Sequence, residues 1–206
     1  MKRQSCNILA SMVFAFLIAF QGAGAWADSP TAVVKGFQHS LIAAMKMAEK
    51  ASVQERYDHL EPRVKQAFYV PLMARMATGE RYWNSASKSE RGAVVSAFAR
   101  MSVATLATLF DGYSGESFAI EGVNKGAQGA VLVRSKLTKS DGETIQFDYR
   151  AIKIRDQWRL IDIILDNSIS ELQRKIDEYE PTLKKSGVPG LIRLLNQTAD
   201  KLMSPS

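Results

Sequence analysis

Residues 131–165 read VLVRSKLTKSDGETIQFDYRAIKIRDQWRLIDIIL, and within them the apolar period is two. Val131, Val133, Ser135 and Leu137 alternate along one segment, and Ile145, Phe147, Tyr149 and Ala151 along the next. Between them, Ser140-Asp141-Gly142 supplies a hairpin turn. Ile152 and Ile154 then fall on the opposite parity, which predicts a bulge on that strand and a curled sheet. Asp156-Gln157 turns the chain into a further strand over residues 158–165. That strand is apolar on both faces from 161 to 165, as expected where it is covered on both sides. Upstream, Phe118 and Ile120 mark a short first strand from Ser117.

Outside this block the period is helical. Ser29-Pro30 opens a helix with the stripe Val33, Val34, Phe37, Leu41, Met45 and Ala48. Ser52 with Glu55 forms a capping box for a second helix carrying Tyr57, Leu60 and Val64, which Pro62 is expected to bend or restart. Val70-Pro71 breaks the chain again, and a short helix with Leu72, Met73 and Met76 runs to Gly79. A second capping box, Ser87 with Glu90, starts a long helix through Val94, Phe98, Met101, Thr105 and Leu109 that stops at Asp111-Gly112. After the strands, Ser168 with Glu171 is expected to cap a helix carrying Ile169, Leu172, Ile176, Tyr179 and Leu183, interrupted by Pro181 and closed at Gly187. A last helix runs from Pro189 with Leu191, Leu194, Leu195 and Leu202. The order predicts one α+β domain: a curved four-stranded antiparallel sheet with helices packed on one face.

The N-terminus sets the compartment. Lys2 and Arg3 precede an apolar run over residues 8–20, and Ala25-Trp26-Ala27 offers small residues at the positions before a cleavage site. A run of about 13 residues is short of the roughly 20 that span a bilayer. The expectation is a signal peptide, 1–27, cleaved to leave a single domain, 28–206; the alternative is an uncleaved anchor. Cys6, the chain's one cysteine, leaves with the leader, so the domain has no disulfide and no thiol chemistry. The net charge falls from +6 to +4, a mild surplus that favours anionic headgroups or acidic partners. No basic block points to nucleic acid.

The inventory for catalysis is thin. His39 and His59 are isolated, which argues against a metal site or a histidine triad. Gly112, Gly115 and Gly122 form no phosphate loop. Asp162 lies on the last strand; it is either an acid in an apolar setting, able to act as a general base, or the partner of Arg134 or Arg150 across the sheet. Adaptable apolar side chains are abundant instead: Met45, Met47, Met73, Met76 and Met101, with Phe68, Tyr69, Tyr82, Trp83, Phe98, Phe110, Tyr113 and Phe118 around the middle helices. Helices on a curved sheet either close into a solid core or leave a hollow suited to hydrocarbon, each buried methylene contributing about 0.8 kcal/mol.

Arg56-Tyr57-Asp58-His59-Leu60-Glu61-Pro62-Arg63-Val64, followed by Ala67-Phe68-Tyr69-Val70-Pro71-Leu72-Met73-Ala74-Arg75, resembles the auxiliary periplasmic proteins of Mla-type ABC lipid transport, the MlaC or toluene-tolerance family. Tyr82-Trp83, Ala97-Phe98, Asp111-Gly112-Tyr113-Ser114-Gly115-Glu116-Ser117-Phe118 and Trp158-Arg159-Leu160-Ile161-Asp162 continue the likeness. Leu165-Asp166-Asn167-Ser168-Ile169-Ser170-Glu171-Leu172 departs from the usual Gly-Val-Ser and Arg-x-Glu-Phe pattern and is similar to the branch associated with hopanoid-synthesis clusters, HpnM.

The resemblance implies a soluble periplasmic carrier, without catalytic residues, cofactor or metal, that encloses phospholipid or hopanoid-type tails in an apolar pocket. It implies exchange with an inner-membrane complex of ABC transporter and MCE protein and with an outer-membrane lipoprotein, in support of outer-membrane lipid asymmetry. The matched apolar positions that could line such a pocket are Phe68, Met73, Met76, Trp83, Phe98, Val103, Phe110, Tyr113, Val131, Val133, Phe147, Tyr149 and Ile163. Arg75 and Arg81 are candidates for a headgroup phosphate at the mouth. Two other readings stay open: an enzyme of the same cone-shaped layout with Asp162 as base, and a scaffold protein that binds no lipid.

Overall fold

A computed structural model describes residues 29–166 and 168–204; the expected leader, 1–27, lies outside the described residues. The elements are α1 (Pro30–Met47), α2 (Val53–Ala67), α3 (Val70–Thr78), α4 (Glu80–Ser85), α5 (Lys88–Leu109), β1 (Ser117–Lys125), β2 (Val131–Thr138), β3 (Thr144–Ile154), β4 (Gln157–Leu165), β5 (Ile169–Ser170) and α6 (Glu171–Met203). The strands form one antiparallel meander in the order β1-β2-β3-β4-β5. The sheet therefore has five strands, not four. The additional one is the two-residue β5, too short to carry a period, which pairs Ser170 with Ile164 and Ile169 with Leu165.

The capping chemistry acts where the sequence places it. Ser29 accepts from the Ala32 N–H with Pro30 in the first turn, and both capping boxes, Ser52 with Glu55 and Ser87 with Glu90, close reciprocally. Three helix expectations are corrected. Pro62 does not restart α2, which continues through it as one helix: one lost N–H is outweighed by burial of Leu60 and Val64 on either side. Pro181 likewise lies inside α6; the chain breaks helical geometry at Gly187 instead, where φ is 60° and glycine carries no penalty. Finally, Ser168 does not cap α6. Ile169 and Ser170 join the sheet, and Ser170 becomes the cap, accepting from the Gln173 N–H at 3.0 Å.

The expected bulge exists, but its extra residue is on β4 rather than β3. Arg150 faces Asp162 and Ala151 faces Leu160, which leaves Ile161 unpaired. The insertion puts both Leu160 and Ile163 on the face shared by Tyr149 and Ala151, and so explains the two-sided apolarity of β4. A second irregularity on β1 falls between Ile120 and Gly122. Helices cover the face that carries Val133, Ser135, Phe147, Tyr149 and Ala151. α5 is long and apolar enough to cross a membrane. Here one face of it packs into the core, with Val94, Ala97, Phe98, Met101, Val103, Ala104 and Ala107 buried. Buried Arg56 joins α2 to its end, donating Nε to the Ala107 carbonyl at 3.0 Å and Nη1 to Ala51 at 2.9 Å.

Candidate functional site: an apolar hollow between helices and sheet

The layers do not meet everywhere. The end of α2, α3, the middle and C-terminal half of α5, strands β2 to β4 and the start of α6 border a hollow of about 390 Å³. Ligand pockets typically occupy about 300–1,000 Å³. The α5 stripe faces it: Phe98, Met101, Thr105 and Leu109 recur at three and four residues, joined by Ser102 and Leu106. Phe68 and Met73 close one side; Leu137, Ile145, Phe147, Ile163 and Leu165 of the sheet form the opposite wall. A chain of aromatic contacts backs that wall. Phe118 meets Phe147 at 5.7 Å, Phe147 meets Tyr149 at 5.5 Å, Tyr149 meets Phe37 at 6.1 Å, and Phe37 meets Phe68 edge-on at 4.9 Å.

Two polar groups of the wall, Thr105 and Asp162, are committed to the protein itself. The Thr105 hydroxyl donates to the Met101 carbonyl at 2.9 Å. Asp162, 1% exposed, accepts from the Ser170 hydroxyl at 2.7 Å and from the Leu172 N–H at 3.0 Å, and lies 3.4 Å from Arg150 Nη1. It therefore caps the first turn of α6 from the neighbouring strand. Loss of solvation raises its pKa, opposed by the Ser170 and Leu172 hydrogen bonds and by Arg150. Of the two arginines considered for it, Arg150 is the partner; Arg134 pairs with Asp148 at 2.8 Å.

Six of the candidate pocket residues line this hollow: Phe68, Met73, Phe98, Phe110, Phe147 and Ile163. The others lie elsewhere. Val103, Val133 and Tyr149 are fully buried in the packed core; Val103 stands about 140° around α5 from Phe98 at 100° per residue. Met76 is 38% exposed on α3. Trp83 is half-buried on α4, its carbonyl bound by Arg91 Nε at 2.8 Å. Tyr113 lies under Lys46, 4.7 Å from its ring centroid, and Val131 is half-buried at the start of β2.

The proposed mouth arginines are not at the hollow. Arg75 forms an exposed ion pair with Glu80 at 2.9 Å, and Arg81 lies over the Tyr82 ring at 5.7 Å. The charged groups that do border it are Glu171, Arg174 and Lys175, on the first turns of α6. None of these three was a candidate from the sequence, and neither were the lining residues Val64, Val70, Met101, Leu106, Leu109, Leu137, Ile145, Leu165 and Leu172. The apolar ones share faces with residues already singled out.

A solved phospholipid-binding protein from Ralstonia solanacearum, in complex with a phospholipid, is similar in fold. Its TM-score is 0.72 at 18% identity, and the match covers 84% of this chain and 96% of that one. Among curated proteins, none matches this chain. The family profile described as MlaC protein matches residues 37–197, most of the domain. By that match, the chain belongs to the MlaC family.

Proposed function

We propose that this protein is a soluble lipid carrier of the periplasm, which takes hydrocarbon tails of a membrane lipid into the hollow and releases them to another membrane component. The observation that carries the reading is the wall itself: a 390 Å³ space lined by Phe68, Met73, Phe98, Leu106, Phe147 and Ile163. Each methylene sheltered there is favoured by about 0.8 kcal/mol, so a tail of ordinary length supplies ample affinity without any catalytic group. Family membership and the phospholipid bound to the Ralstonia protein of the same fold support phospholipid as cargo. The HpnM-like stretch at 165–172 keeps a hopanoid-type lipid as the alternative. The expected leader at 1–27 supports the periplasmic location. An inner-membrane ABC transporter with its MCE protein and an outer-membrane lipoprotein are the donor and acceptor that the resemblance implies. Asp162 serves as a helix cap, since its oxygens are engaged by Ser170, Leu172 and Arg150; this weighs against a base acting on substrate.

Transfer of a self-quenching fluorescent phospholipid between two vesicle populations tests the reading. The protein is expected to accelerate transfer in proportion to its concentration. Transfer at the spontaneous rate, with no fluorescent lipid recovered on the protein, would contradict carriage.

A further inference from the structure

Long charged side chains at the rim of a hydrocarbon-lined space lay their stems on apolar surface while their heads reach water or the polar end of whatever is bound. The first turns of α6 bring Glu171, Arg174 and Lys175 to the wall of the hollow. Arg174 holds both Glu171 oxygens through Nη1 alone, at 2.8 and 2.9 Å, so that carboxylate leaves its Nε and Nη2 edge unengaged. Lys175 donates to Glu178 at 2.7 Å and sits 5.8 Å from the Tyr179 ring centroid; its side chain is 24% exposed. Both are short-range helix pairs with partly exposed partners, which contribute little to stability and are open to exchange. The other acids nearby are held: Asp162 by Ser170, Leu172 and Arg150, and Asp177 by Gln173 Nε2 at 2.9 Å.

We propose that Arg174 and Lys175 hold the anionic head of the amphiphile whose tail fills the hollow, and that Glu171 is the internal anion this head displaces. The inference rests on the lipid-carrying function and adds to it a chemical selection. A phosphate or carboxylate attached to hydrocarbon is retained, whereas an uncharged lipid with the same tails is held by its tails alone. A guanidinium beside an ammonium suits such an oxyanion because the planar fork donates N–H groups to two of its oxygens at once.

The test presents the protein with neutral-detergent micelles holding equal amounts of dioleoylphosphatidic acid and dioleoylglycerol, and measures the ratio of the two lipids recovered on it. Wild type is expected to favour phosphatidic acid about tenfold, with the preference falling as salt rises. The double variant Arg174→Gln/Lys175→Gln should bring the ratio near one, with diacylglycerol taking the place of the lost phosphatidic acid in the shared hollow and total lipid on the protein retained. Glu171→Gln should raise the ratio about threefold, a sign that simple damage to the helix would not produce. Equal uptake of both lipids in every variant overturns the head site and leaves carriage standing. Uptake of neither overturns carriage and the head site together. Glycerol 3-phosphate bound as tightly as the lipid also overturns it, assigning these cations to a free phosphate.

Discussion

Replacing Leu106 with tryptophan should empty the protein of lipid without unfolding it. Leu106 projects from α5 into the hollow, so a larger ring enters space that no core side chain occupies. Overpacking costs arise when a filled core is forced apart, which is not the case here. A tail that loses room for only about three methylenes forfeits roughly 2.4 kcal/mol, more than tenfold in affinity. The expected result is a midpoint of thermal unfolding at or above that of delipidated wild type, with lipid uptake from vesicles reduced more than tenfold. Ser102→Phe, on the same wall, should act in the same direction. Uptake unchanged in both variants, with the fold intact, would place the lipid somewhere else on the molecule.

Asp162→Ala should be the most damaging single substitution to stability at the site. It strips the acceptor from the Leu172 N–H and the Ser170 hydroxyl where β5 passes into α6. Arg150, its ionic partner, is 43% exposed and can be resolvated, so the loss comes chiefly from the two abandoned donors. Such donors cost about 1–3 kcal/mol each when left unpaired. A loss of roughly 3 kcal/mol lowers the unfolding midpoint by roughly 6–12 °C in a domain of this size.

Asp162→Asn should be far milder, because its carbonyl oxygen still serves Leu172 and the desolvated charge is gone. The two also differ in pH dependence. Burial makes the folded carboxyl hold its proton more tightly than the unfolded chain does, so protonation favours the folded state. The group's contribution is therefore fully present below the ordinary aspartate value of 3.8 and is lost as pH rises through the raised folded-state value. Wild type should gain stability relative to Asp162→Asn as pH falls from neutral toward 4. Denaturant melts of both proteins across that range measure it, and a gap that widens in favour of the asparagine variant would contradict the assignment.

Much of the architecture can be read from local chemistry, and the exceptions have physical reasons. Ser52 with Glu55 and Ser87 with Glu90 form as written because each box satisfies its own backbone donors without help from elsewhere. Ser168 with Glu171 has the same spacing and fails. Asp162, outside that four-residue pattern on the preceding strand, binds Ser170 and Leu172 and moves the helix start past the expected cap. Pro62 and Pro181 look like breaks when only propensity is weighed, but tertiary burial on both sides of each carries the helix through.

For the site, the α5 stripe from Phe98 to Leu109 was visible because helical period and cavity wall coincide. Which large apolar residues face space and which face neighbours was not, since Val103, Val133 and Tyr149 carry the same chemistry as Phe98 and Phe147. The charged rim was hidden for another reason. Glu171, Arg174, Lys175 and Glu178 have the spacing of ordinary solvent-facing helix pairs, and only the tertiary packing of α6 at the hollow puts both cations beside hydrocarbon.

The central claim is that the hollow shelters a lipid tail. Its most direct measurement is organic extraction of the protein, purified without detergent from its native compartment, followed by mass analysis of what is released. The account predicts a lipid in near-stoichiometric amount from wild type and little from Leu106→Trp purified in parallel. Wild-type protein that yields no lipid, and takes none up from vesicles afterwards, would contradict it.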